Sequence, residues 1–169
     1  IKNLVVALSI LFFSCQKDEE VNKNDKVIAP ISDQVLETAV IYEANIRQYS
    51  KEGTFKAFTK DIPVLKELGV KVIWLMPINP ISEIKRKATD GSFTSEIEDK
   101  EERKKYLGSY YSVSDYKTIN PEFGNKDDFK ALINTAHNNG IYVIVDWVPN
   151  HTGWDHPWIT NHPDWYTQN

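Results

Sequence analysis

The stretch Gly140-Ile141-Tyr142-Val143-Ile144-Val145-Asp146-Trp147-Val148-Pro149-Asn150-His151-Thr152 decides how the chain is read. Its first half is a short apolar, β-branched run that begins straight after a glycine, and its second half turns polar where such a strand should end. This is the profile of a buried parallel strand with a site at its carboxyl end. In α/β sheets and barrels, ligands bind at the carboxyl ends of strands and on the loops that follow them. Asp146, Asn150 and His151 therefore stand where chemistry is usually done.

Upstream, strand and helix patterns alternate. Val40 to Tyr49 reads as a first strand, ended by Gly53. Thr54 then caps a helix whose apolar positions Phe55, Phe58, Ile62, Leu65 and Leu68 keep a period near 3.6, with Pro63 forcing a kink or a restart. Val70 to Leu75 is the second strand. A second helix follows Asn125, with Asp127 and Asp128 near the positive end of its dipole, Phe129, Leu132, Ile133 and Ala136 on its buried face, and Gly140 just past its end. Strand, helix, strand, helix, strand with right-handed crossovers predicts a parallel sheet buried on both faces.

Asp146-Trp147-Val148-Pro149-Asn150-His151 resembles the Asp-x-Val-x-Asn-His signature at the third barrel strand of the α-amylase family, glycoside hydrolase family 13. Two further segments agree in the expected order. Gly69-Val70-Lys71-Val72-Ile73-Trp74-Leu75-Met76-Pro77-Ile78 is similar to the family's second strand, and Tyr110-Tyr111-Ser112-Val113-Ser114-Asp115-Tyr116 to the Gly-Tyr-x-x-x-Asp-Tyr segment after it. The resemblance runs from about Val40 to the end of the chain.

The implied fold is the first three β/α units of a (β/α)8 TIM barrel, truncated after strand three. A whole barrel needs ~250 residues, and roughly 130 remain here once the N-terminal leader and tether are set aside. The chain is accordingly expected to be a piece of a longer protein. Retaining hydrolysis of an α-glycosidic bond needs two carboxyl groups ~5 Å apart. In the family these follow strands four and five, aided by an Asp after strand seven, so the resemblance places no catalytic residue in this chain.

What it does place here is the supporting side of a sugar subsite. Tyr111 is expected to stack under the ring, His151 to hydrogen-bond a hydroxyl beside the scissile bond, and Asp146 to sit buried at the strand end, fixing the loop. Asn150 matches a position whose side-chain oxygen binds calcium in many family members. Calcium takes six to eight oxygen ligands, and the others would come from later sequence. The implied substrate is an α-glucan or maltooligosaccharide, and hydrolysis, transglycosylation and isomerisation all occur on this scaffold.

Between Asn79 and Ser109 lies the densest charge run of the chain, read as a solvated, partly helical insertion at about 82–108 on the loop after strand two. Residues 1–15 read as a bacterial lipoprotein signal: Lys2, the apolar run Leu4 to Phe13, then Ser14 before the only cysteine, Cys15. The run is too short to span a bilayer, which takes ~20 residues. The charged stretch Lys17 to Glu20 resembles the acidic export tag of bacterial surface lipoproteins, and with acylation of Cys15 this implies an outer-membrane or cell-surface protein held by a lipid anchor. The alternative is an ordinary secretory signal with an incidental cysteine and a periplasmic or secreted product. Residues 16–38 read as a polar tether.

One cysteine excludes an internal disulfide. A net charge of −4 with a pI near 5.6 gives no electrostatic ground for nucleic acid binding. Trp154, Trp158 and Trp165, interleaved with His156 and His162, either line a sugar cleft or pack the loop after strand three. Two rivals belong to other classes. One is a zinc hydrolase built from Asp146, His151, Asp155, His156 and His162, although their spacing matches no helical metal-binding pair. The other is a non-catalytic, surface-anchored glycan-binding lipoprotein.

Overall fold

The computed structural model describes residues 28–167, so the signal, Cys15 and the Lys17 to Glu20 stretch lie outside the described residues. Three parallel strands, β1 (Val40–Ala44), β2 (Val70–Leu75) and β3 (Tyr142–Val145), form one sheet in sequence order. Their register stacks Tyr42, Ile73 and Val143 in one row and Ala44, Leu75 and Val145 two positions on. Side chains two apart share a face, and that face is the packed one except at Val145, which is exposed on the edge strand. Tyr42, Ala44, Ile73, Leu75 and Val143 meet Phe55, Phe58, Ile62, Leu65, Leu132 and Ala136 from the crossover helices.

The opposite face keeps Val70 and Val72 buried but elsewhere departs from the expected two-sided burial. Ile41 is 56%, Trp74 37% and Ile144 47% exposed. Three strands do not curl far enough to wall off their own concave side, which closure of a barrel would cover. The fold is a three-stranded arc of a β/α barrel.

Local chemistry explains the element boundaries. The first strand is shorter than the apolar run predicts, because the Asn45 side chain accepts a hydrogen bond from the Gln48 amide and starts a helical turn, α2 (Ile46–Tyr49). Thr54 caps α3 (Phe55–Thr59) as expected, and Pro63 restarts the crossover as α4 (Ile62–Glu67). Leu68, at the end of α4, leaves the apolar row and is exposed. The longest helix, α6 (Lys126–Asn138), opens on a reciprocal cap: Asn125 takes the amides of Asp127 and Asp128, and Asp128 takes the amide of Asn125. It ends at Gly140, whose φ of +71° is a backbone shape L side chains resist.

The connecting segments carry local structure. Within the expected tether, the Ser32 side chain accepts from the Val35 amide and opens a short helix, α1 (Asp33–Thr38). The Tyr142 hydroxyl further pins this region by donating to the Ala29 carbonyl at 3.0 Å. The charged insertion is a tied excursion. It carries a 3₁₀ turn at Thr94–Glu96 and a helical turn, α5 (Lys100–Arg103), and buries Ser82 and Thr94. Bridges Ile81 to Val113 and Lys87 to Phe93 hold it.

Candidate functional site

The site assembles where three segments meet at the carboxyl end of the sheet. Ile81 and Ser82 leave β2, Ser112 and Val113 come back toward α6, and Gly153 arrives from β3. The Ser82 amide donates to the Ser112 carbonyl at 2.7 Å, and the Gly153 amide to the Val113 carbonyl at 2.7 Å. Only a glycine fits at position 153, since a Cβ there would lie 2.5 Å from the Ser82 Cβ and 3.0 Å from the Ser112 carbonyl.

This clamp sets Tyr111. Its amide donates to the Ser109 hydroxyl at 3.2 Å, and its own hydroxyl donates to Asp146 Oδ2 at 2.8 Å. Asp146 is in turn tied to the sheet, its amide donating to the Leu75 carbonyl at 2.8 Å. The bond to the Asp146 carboxylate, with burial second, pushes the Tyr111 phenol above its ordinary range. Tyr111 and Asp146 are thus brought together, half-buried, by residues 35 apart in sequence.

His151 is placed differently. Its Nδ1 lies 2.5 Å from Asn150 Oδ1, and among the described residues no hydrogen bond or ring contact joins it to Tyr111 or Asp146. His151 and Asn150 instead line a cleft of about 430 Å³ with Trp154, Trp158, Trp165 and Tyr166. All three tryptophans therefore reach this cleft, and Trp158 also packs the loop. Trp158 stacks on Tyr116 at 5.8 Å and meets Trp165 edge-on at 5.2 Å, while Trp165 lies parallel to His162 at 4.0 Å.

Tyr116, quoted above only as a motif letter, organises the loop after β3. Its hydroxyl lies 2.8 Å from the Val148 carbonyl and 2.5 Å from the His151 carbonyl, and its ring contacts Trp147, His156 and Trp158. Burial pushes its phenol up. Asp155 and Gly153 have comparable weight and carried no signal in residue type alone. Asp155 Oδ2 accepts the amides of Glu83 at 2.8 Å and Ile84 at 3.4 Å, tying the insertion to this loop. Burial raises its carboxyl, but the Glu83 amide, the Ser82 hydroxyl and the Ile84 amide outweigh that and hold it below its ordinary value.

The five residues of the zinc alternative do not converge. Asp155 is spent on backbone amides, and His156 is buried with Nδ1 accepting the Trp158 amide at 3.1 Å. Among the described residues, no three His, Cys, Asp or Glu side chains gather to hold a metal ion. For calcium, these residues supply one oxygen, that of Asn150 beside the His151 ring, of the six to eight a calcium ion takes.

Known proteins match this arrangement. The profile of the alpha amylase catalytic domain matches residues 18–168. The alpha-amylase SusG of Bacteroides thetaiotaomicron is 36% identical over 108 residues, which cover 64% of this chain and 12% of that protein. An alpha-1,4-glucan:maltose-1-phosphate maltosyltransferase of Cereibacter sphaeroides is 32% identical over 120 residues, covering 69% of this chain and 19% of its own. The crystal structure of an alpha-amylase from Lactobacillus plantarum superposes with a TM-score of 0.67 at 40% identity, over 79% of this chain and 28% of that one. The chain thus spans under a third of the length of each of these relatives. Its three-stranded parallel arc, the order of its motifs and the profile match together establish that the chain belongs to the α-amylase catalytic domain family.

Proposed function

We propose that this chain forms the supporting half of the sugar-binding subsite of a retaining α-glucan hydrolase. The observation that carries the reading is the Tyr111 hydroxyl seated on Asp146 at 2.8 Å, at the carboxyl ends of β2 and β3. A hydrogen bond to a carboxylate fixes the tilt of a phenol ring, and a fixed ring offers a flat apolar face to the C–H side of a pyranose. His151, exposed at the mouth, is available to donate to a sugar hydroxyl. The attacking carboxylate and the proton-donating carboxyl are assigned to positions outside this chain, after strands four and five. No step of this reading runs through calcium.

Two other readings have specific support. A relative named as a maltosyltransferase favours transfer, and the aromatic cleft beside His151 favours a glycan-binding protein without turnover. Incubating the intact protein with maltoheptaose separates the three. Hydrolysis raises the number of reducing ends, transfer redistributes chain lengths at a constant number of reducing ends, and a binder changes neither.

The anchor is a proposal of the same standing: Cys15 is lipidated and holds the protein on the outer face of a bacterial membrane. Acyl chains give membrane affinity of about 0.8 kcal/mol per buried methylene, and no apolar stretch follows Cys15 in the tether to replace them. Cys15→Ala should move the protein from the membrane fraction to the soluble one, and persistent membrane association would show that something other than lipid holds it.

A further inference from the structure

A second cleft, of about 610 Å³, opens between the insertion and α2, with the segment that carries Tyr111 along one side. Arg47, Lys85, Arg86, Lys87 and Lys105 line it, and no carboxylate does. Composition does not require this. Residues 82–108 contain seven basic and seven acidic side chains, so the insertion is neutral overall and the fold sorts the signs.

The two arginines are fixed in place by backbone. Arg47 donates to the carbonyls of Gly108 at 3.3 Å and Leu107 at 3.2 Å, and Arg86 to those of Ser82 at 3.2 Å and Tyr106 at 3.3 Å. Carbonyl oxygens satisfy N–H groups but leave the full positive charge uncompensated. The carboxylate nearest Arg47 is Glu122 at 3.8 Å, largely exposed and screened by water. Lys105 pairs with Glu102, whereas Lys85, Arg86 and Lys87 pair with no carboxylate among the described residues. Lys85 lies over the Trp154 ring at 3.4 Å, and Lys87 donates to the Gly91 carbonyl at 3.0 Å.

Five cations surround one concavity, of which Lys105 is closely paired with a carboxylate, and the other four focus a positive field there in a chain whose net charge is −4. Guanidinium groups held in place by backbone carbonyls, beside the ammonium groups of exposed lysines, make a donor set that suits a tetrahedral oxyanion. The Ser109 hydroxyl, which accepts the Tyr111 amide, keeps its hydrogen to donate into the cleft. We propose that this cleft binds a phosphate or sulfate ester group carried by a saccharide, next to the Tyr111 segment. The saccharide carrier rests on the α-glucan reading; the oxyanion site does not.

Calorimetric titration of the intact protein with inorganic phosphate, glucose 6-phosphate, glucose 6-sulfate, glucose and maltotriose tests this. The comparison is a Lys87→Gln, Lys105→Gln double variant, whose two side chains are exposed and whose melting temperature should match the parent. Inorganic phosphate and at least one ester should bind at low salt and weaken as sodium chloride rises. The double variant should lose about tenfold in affinity for them and keep its maltotriose affinity. Preference for one ester identifies the source of the oxyanion. No oxyanion binding, or equal binding by the double variant, overturns the site. A parent protein that binds phosphate but not maltotriose instead removes the α-glucan reading alone.

Discussion

A phenol held by a carboxylate differs from a phenol packed by chance, because the carboxylate sets its tilt as well as its place. Tyr111→Phe keeps the ring but deletes the bond to Asp146, and a hydrogen bond to a charged group contributes ~1.5–3 kcal/mol. Under the hydrolase reading, kcat/KM for maltooligosaccharides should then fall by about ten- to a hundredfold, and initial-rate kinetics check it. His156 makes a second prediction. Burial pushes its imidazole below 6.5, so the neutral form belongs to the folded loop. Above about pH 6.5 neither state holds the proton and stability is complete. As pH falls below that, the unfolded chain takes up the proton first and stability is lost down to the folded pKa. Asp155, whose carboxyl lies below its ordinary value, extends the loss to lower pH. Tryptophan fluorescence followed from pH 7 to pH 4 should show the loop after β3 loosening in acid, and His156→Phe should flatten the upper part of that change.

At the scale of elements, the loop contacts matter more than the strands. Gly153→Ala forces a methyl against the Ser82 side chain and the Ser112 carbonyl, and overpacking of this kind costs about 1–3 kcal/mol. In the intact protein its thermal melting point should fall while the far-ultraviolet spectrum stays the same. The elements themselves were largely legible in the sequence. β2 follows an apolar β-branched run bounded by Gly69 and Pro77, and the Asn125 cap with Asp127 and Asp128 announces α6. Strand β1 was overread, since one capping side chain, Asn45, outweighs the apolar pattern after it. The motifs pointed to Tyr111 and Asp146, but not to the hydrogen bond that joins them, which depends on the path of the chain between β2 and β3. The Asp155 tie to Glu83 and Ile84 was not legible, because it spans more than 70 residues and depends on where an insertion lands. The sorting of charges around the basic cleft was hidden for the same reason.

For the whole molecule, the open concave face dominates. Ile41, Trp74 and Ile144 meet water across a sheet whose β3 edge has no further strand among the described residues. Residues 21–169 expressed alone should therefore show no cooperative thermal transition as a monomer, as differential scanning calorimetry would report. A single sharp transition would mean the three units support themselves. The most direct test of the central claim, that Tyr111 and Asp146 hold an α-glucan for cleavage, is maltotriose hydrolysis by the intact protein and its Asp146→Asn variant, measured side by side. The account predicts release of reducing sugar by the parent and a rate at least about tenfold lower in the variant, with its secondary structure unchanged. An inert parent, or a variant as fast as the parent, would contradict it.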